Sequence, residues 1–169
     1  MDVRELSPPR PTRTKGIETT LSEGEQLLAR VIASLRQGVN RMEGVAISQM
    51  SPRDGFAIDL DGIGGELAYA KLMNLCPDLD VLPRKGSHDF TTIFNESVDV
   101  KTRNEDWHDL LVEKGKKRNP SDIYVLMIGK FPTYAYQGAI SKDEVFLDSN
   151  LTDLGRGEGY LVPQARLKR

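Results

Sequence analysis

Cysteine is nearly absent: Cys76 is the only one in 169 residues, so no disulfide framework can form within the chain. Its neighbours Leu72, Met73 and Leu75 are apolar, which predicts a buried, inert thiol and suits a reducing intracellular, cytoplasmic setting. Long apolar runs are missing as well. None reaches the roughly 18 residues that a membrane span requires, so no membrane partner is expected. Arg4, Arg10, Arg13 and Lys15 stand among the prolines of the N-terminus with no apolar stretch behind them, which predicts no secretory signal. Net charge is slight, at -2. That argues against binding nucleic acid by overall charge and leaves room for a local basic patch. Histidine is scarce: His88 and His108 lie far apart with no cysteine beside them, an unpromising zinc site. No phosphate-binding P-loop or dinucleotide fingerprint occurs.

What remains is a globular balance of 38% hydrophobic and 28% charged residues, enough for one core. Residues 1–20, rich in Pro, Thr and charge with Pro8, Pro9 and Pro11, predict a flexible N-terminal arm or a strap on another surface. Residues 21–169 then form one domain. Ser22 to Gln37 reads as a helix: Ser22 with Glu25 makes a capping box, Leu27, Leu28, Val31, Ile32 and Leu35 recur at helical spacing, and Gly38 supplies a stop. A second helix is expected from about Gly62 to Asn74, capped by Asp59 or Asp61 and followed by Pro77. Gly62, Gly64 and Gly65 at its start point to close packing against another backbone.

The period then changes to that of strands. His88–Thr92 and Val98–Thr102 read as a hairpin turning around Asn95 and Glu96. Ile123–Ile128 suits a strand buried on both faces. Tyr134–Ile140 reads as the next strand, Ser141–Leu147 as a short helix and Tyr160–Val162 as the last strand, before a basic tail of Arg166, Lys168 and Arg169. Trp107–Glu113 fits a helix or a strand. The order of elements predicts an α/β or α+β fold around one mixed sheet.

The chemistry centres on Ser97-Val98-Asp99-Val100-Lys101-Thr102. On a strand, Val98 and Val100 face the core while Asp99 and Lys101 share the other face. There the acid can bind a divalent cation and the amine can orient or activate water and neutralise developing charge. The triplet alone equally describes a surface ion pair. Ten residues upstream, in Gly86-Ser87-His88-Asp89-Phe90, Asp89 is a hairpin partner for Asp99. Two carboxylates brought together repel unless a cation or proton lies between them, and hard oxygen donors suit Mg²⁺ or Mn²⁺. Glu66, in the second helix, either points into the same site or is an ordinary solvated glutamate. If Asp89 and Asp99 share a face, parity requires paired hairpin positions that sum to an even number, as pairing Thr92 with Val98 or Ile93 with Ser97 does. Either register sets Asp89 across from Lys101.

Glu66 in Gly64-Gly65-Glu66-Leu67-Ala68, Asp89 in His88-Asp89-Phe90, and Asp99-Val100-Lys101 together resemble the PD-(D/E)XK nuclease superfamily. That superfamily includes restriction endonucleases, archaeal Holliday-junction resolvases and many small phage nucleases. The strand Asp122-Ile123-Tyr124-Val125-Leu126 and the ending Tyr160-Leu161-Val162-Pro163 also look like its small phage-type members, so the likeness covers roughly residues 60 to 165. It departs from the name-giving pattern where His88, not proline, precedes Asp89. The resemblance implies a restriction-endonuclease-like mixed central β-sheet flanked by helices, and a Mg²⁺-dependent (or Mn²⁺-dependent) hydrolase of phosphodiester bonds with DNA as its partner. Asp89 and Asp99 would be metal ligands together with the Val100 carbonyl, Glu66 an accessory ligand, and Lys101 the residue that positions water and steadies the transition state. A homodimer is compatible with it, since many members dimerise to cut two strands. Lys114, Lys116, Lys117 and Arg118 read as a phosphate-contacting run or as a solvated loop. Arg103 is the better single candidate for the scissile phosphate. Tyr134 and Tyr136, on one strand face, fit either the core or a base-stacking surface. The rival to a nuclease is a catalytically silent nucleic-acid- or protein-binding module on the same fold.

Overall fold

The structure, a computed structural model, describes residues 16–42, 55–81, 88–155 and 157–169. The basic and proline residues noted between positions 4 and 15, and Gly86 and Ser87, lie outside them. The first described element corrects the expectation of an arm through residue 20. Strand β1 (Ile17–Thr20) pairs antiparallel along a later strand, with Ile17 opposite Tyr136 and Thr20 opposite Thr133. Its residues include no proline, and the three prolines that suggested an arm all lie upstream. Leu21, just beyond it, is buried, and its N–H donates to the carbonyl of Pro132 at 3.0 Å.

Helix α1 (Glu23–Met42) opens on the expected capping box. The Ser22 N–H donates to Glu25 Oε2 at 2.6 Å, and the Glu25 N–H donates to Ser22 Oγ at 3.3 Å. The helix does not stop at Gly38. That glycine is exposed and stays in helical conformation, which costs only about 1 kcal/mol relative to alanine. Helix α2 (Gly55–Met73) begins earlier than expected because Phe56, Leu60, Ile63 and Leu67 extend its apolar spacing upstream. Asp59 and Asp61 are therefore interior residues, not caps. Asp61 instead accepts the Phe131 N–H at 3.0 Å. Asn74, at φ 53°, turns the chain out of the helix, and the Leu75 N–H closes on the Ala70 carbonyl at 2.8 Å. Leu72 and Leu75 pack against the core, but Cys76 is exposed, which overturns the buried-thiol expectation.

Close packing is found at two of the three glycines of α2, but against side chains and not against another backbone. A Cβ on Gly64 would lie 2.1 Å from the Tyr134 hydroxyl, and one on Gly65 2.0 Å from Thr102 Oγ1. At Gly62 it would meet no described atom within 4 Å.

Strands β2 (Phe90–Thr91), β3 (Ser97–Arg103), β5 (Ile123–Lys130) and β6 (Thr133–Ser141) join β1 in a five-stranded mixed sheet of order β1-β6-β5-β3-β2. Only β3 and β5 run parallel among these pairs. Strands β4 (Leu110–Glu113), β7 (Leu151–Asp153) and β8 (Glu158–Val162) form a three-stranded antiparallel sheet, β4-β8-β7. The ambiguous segment 107–113 thus becomes a strand at Leu110–Glu113, where Leu110 and Val112 alternate inward. The short helix α3 (Lys142–Val145) follows β6.

Strand β5 divides the core. Val125 and Met127 join Val98, Val100, Tyr134 and Tyr136 under the two long helices, while Tyr124, Leu126 and Ile128 face Leu110, Val112, Tyr160 and Val162 of the second sheet. Its continuous apolar run is explained by this two-sided burial. Tyr134 and Tyr136 are core residues, with Tyr136 6.1 Å from the Tyr69 ring, and they are not exposed for stacking on a base. The basic tail is tied down: Lys168 exchanges backbone hydrogen bonds with Ala139 and pairs with Glu144 at 3.0 Å. No described helix is long and apolar enough to cross a membrane.

Candidate active site

Strand alternation places Val98 and Val100 beneath the helices and Asp99 and Lys101 on the face toward the second sheet. On that face Asp99 is beside Tyr124 and Lys101 beside Leu126, their register partners on β5. The apolar neighbours bury Asp99 to 2% exposure. A carboxylate so placed requires compensating charge. Two lysines provide it: Lys101 Nζ lies 2.6 Å from Oδ1, and Lys116 Nζ lies 3.0 Å from Oδ2. The second contact is one of charge, since Oδ2 has no hydrogen bond among the described residues.

Burial pushes the Lys101 ammonium toward deprotonation, but Asp99, and behind it Asp89 and Glu113, outweigh that and hold it above the ordinary lysine value. Lys101 is therefore a cation at neutral pH. It can neutralise charge and donate hydrogen bonds to a water or an anion, but it is not a base.

Asp89 reaches this group from the edge of the sheet. The ladder pairs Phe90 with Val98 and Thr91 with Ser97, two residues away from the expected pairings; both sums are even, so the parity condition for Asp89 and Asp99 to share a face is met. The cause of the shift is a tied five-residue loop, Thr92 to Glu96. Thr92 donates its N–H to the Glu96 carbonyl at 2.9 Å, its hydroxyl accepts the N–H groups of Phe94 and Glu96, and Asn95 takes φ 62°. Asp89 precedes the ladder. Its N–H donates to the Val98 carbonyl at 2.8 Å, and its Oδ2 accepts the Val100 N–H at 2.7 Å. The carboxylate thus lies along the strand edge and not directly across from Lys101, which corrects the face-to-face arrangement. Its charge is still felt by Lys101. Because the N–H and C=O of one strand residue point to the same side, the Val100 carbonyl faces this edge too.

The start of β3 is pinned from the other side. Asp122 Oδ2 accepts both the N–H and the hydroxyl of Ser97, at 2.9 and 2.8 Å, and Oδ1 pairs with Lys142 at 2.7 Å. These contacts hold the Asp122 carboxyl well below the usual carboxylate range.

Glu66 does not join the group around Asp99. It lies on α2 and pairs at 3.5 Å with Arg36 of α1, which also donates to the carbonyls of Asp78 and Asp80. Among the described residues no three His, Cys, Asp or Glu side chains gather as a metal-binding group. The donors that fit a hard divalent cation are the Asp89 carboxylate, Asp99 Oδ2, which is buried without a hydrogen bond, and the Val100 carbonyl.

The basic run splits. It forms a 3₁₀ turn, Lys114–Arg118, directly after β4. Lys116 turns inward to Asp99. Lys114 pairs with Glu158, Lys117 lies 3.8 Å from Asp148 and over the Tyr160 ring, and Arg118 is exposed. Lys116 is thus set apart from the other three side chains, which stay at the surface. Arg103, two residues beyond Lys101, is half-buried, and burial pulls its guanidinium down against the opposing effect of Asp109. The sequence pattern places Lys116 in a phosphate-contacting run or a solvated loop, not against Asp99, and gives Glu113 no role. Their only sequence signals were a lysine within a basic run and an acid after an apolar alternation. Compared with known proteins, the chain matches no family model and no curated protein.

Proposed function

We propose that this chain is a metal-dependent nuclease of the PD-(D/E)XK kind, hydrolysing phosphodiester bonds in DNA. The observation that carries the reading is the buried Asp99 clamped by Lys101 and Lys116, with Asp89 on the adjoining strand edge. Asp89, Asp99 and the Val100 carbonyl would hold Mg²⁺ or Mn²⁺, which when bound acidifies a water and neutralises charge on the phosphate. Lys101, kept charged by its carboxylate neighbours, holds the attacking water by hydrogen bonding and stabilises the additional negative charge of the transition state. Lys116 adds a second positive charge on the same side of the strand. Arg103, on the face shared with Lys101, is the candidate contact to the phosphate that is cut.

The test is cleavage of mixed duplex, single-stranded and branched DNA with added Mg²⁺ and with chelator. Cleavage that requires the metal supports the proposal. Full activity in chelator rejects the metal, and no cleavage on any substrate rejects the enzyme.

A second reading, a binding module without catalysis, is favoured by a specific feature: Asp99 is neutralised by two lysines, and Glu66 is held by Arg36. DNA binding without cleavage in the same assay selects it.

A further inference from the structure

Helix α1 is apolar on two opposite sides. Ala29, Ile32 and Ala33 are buried in the core. On the other side Leu27 is 65% exposed, Val31 47% and Leu35 51%, so three of the five apolar residues that recur at helical spacing face water. At 3.6 residues per turn, Gly24, Leu27, Val31, Leu35, Gly38 and Met42 fall within an arc of about 80° centred on Val31. An amphipathic helix normally keeps polar residues there, and an apolar strip of this kind marks a contact surface.

We propose that this outer face of α1 pairs antiparallel with the same face of a second copy of the chain, about a two-fold axis at Val31. Three features select that occupant. The strip is self-complementary about Val31: Leu27 of each copy meets Leu35 of the other, and Gly24 meets Gly38. Both glycines are exposed, and a Cβ on either would meet no described atom within 4 Å, so two backbones can approach closely along the strip. Charge is complementary as well. Glu23 lies in the first turn and Arg41 in the last, both on one flank, so antiparallel pairing sets each Glu23 beside an Arg41 and each helix N-terminus beside a C-terminus. Arg30, on the same flank near the axis, is turned away onto the Phe131 ring at 4.8 Å, which limits like-charge repulsion. One pair of helices of this length makes a small interface, so the dimer is reversible and depends on concentration. This inference does not rest on the nuclease reading.

Sedimentation of the full chain over the micromolar range tests it, together with two sets of variants at exposed positions. The wild-type chain should show a monomer–dimer equilibrium, and Leu27→Glu with Leu35→Glu should be monomeric with an unchanged circular dichroism spectrum. In a Cys76→Ser background, Val31→Cys should cross-link to a dimer with a short bis-maleimide, and Ile93→Cys, at the exposed hairpin tip, should not. A wild-type chain that stays monomeric, a double glutamate variant as dimeric as wild type, or equal cross-linking at positions 31 and 93 overturns the proposal.

Discussion

Lys116 Nζ lies 3.0 Å from Asp99 Oδ2, on the carboxylate oxygen that Lys101 does not use. An ammonium group therefore occupies the contact that a divalent cation would make with the same oxygen. Removing Lys116 should leave Asp99 under-compensated, and Lys116→Ala should lose roughly 2 kcal/mol of stability. That is less than the 3–5 kcal/mol of stripping a buried charge of its partner, because Lys101 remains. Mg²⁺ should then raise the melting temperature of Lys116→Ala more than that of the wild type. Equal shifts in the two proteins would contradict a cation site at Asp99.

The raised Lys101 value sets the alkaline behaviour. A group whose folded value exceeds its unfolded one contributes stability fully below the unfolded value, near pH 10.4 for lysine, and loses it as pH rises through the folded value. In the absence of metal, folding stability should therefore show no alkaline fall assignable to Lys101 below about pH 10.4. A stability-versus-pH curve in chelator with an alkaline fall at pH 8 to 9 that Lys101→Arg removes would contradict the assignment.

Asp122 behaves in the opposite sense. Its lowered value contributes stability above the unfolded carboxylate value, about pH 3.9, and that contribution is lost as pH falls through the much lower folded value. Asp122→Asn removes the ionisation but keeps an acceptor for Ser97. It should flatten the acid limb of a stability-versus-pH curve. An unchanged acid limb would show that this anchor does not govern the start of β3.

The glycines of α2 predict a contrast. Gly64→Ala and Gly65→Ala drive a methyl group into the Tyr134 hydroxyl and into Thr102, and each should cost about 1–3 kcal/mol. Gly62→Ala, with open space and a helical backbone, should be neutral or stabilising by up to about 1 kcal/mol. Denaturant unfolding of the three variants checks the order.

Much of this architecture was legible from local chemistry. The Ser22–Glu25 box, the two-sided run of β5 and the alternation of Val98, Asp99, Val100 and Lys101 are set by neighbours in sequence, and each is found. Close packing at Gly64 and Gly65 was legible too, though its partners, the side chains of Tyr134 and Thr102 and not a backbone, were not. What escaped depends on contacts between distant residues. Thr92 ties the hairpin loop and shifts its register by two, which keeps the expected parity but moves Asp89 away from Lys101, a choice among registers that parity does not make. Arg36 claims Glu66 across the α1–α2 interface, and Lys116 reaches Asp99 only because β4 delivers its turn there. The length of α2 was missed because Asp59 and Asp61 resemble caps, and only the fold turns Asp61 onto Phe131.

Single-turnover DNA cleavage in saturating Mg²⁺ by wild type and Lys101→Ala, with DNA binding measured in parallel, isolates the contribution of Lys101 to the chemical step. The account predicts that Lys101→Ala lowers the cleavage rate by at least about a hundredfold, as for loss of a transition-state donor, with binding nearly unchanged. Near wild-type cleavage by Lys101→Ala would contradict it.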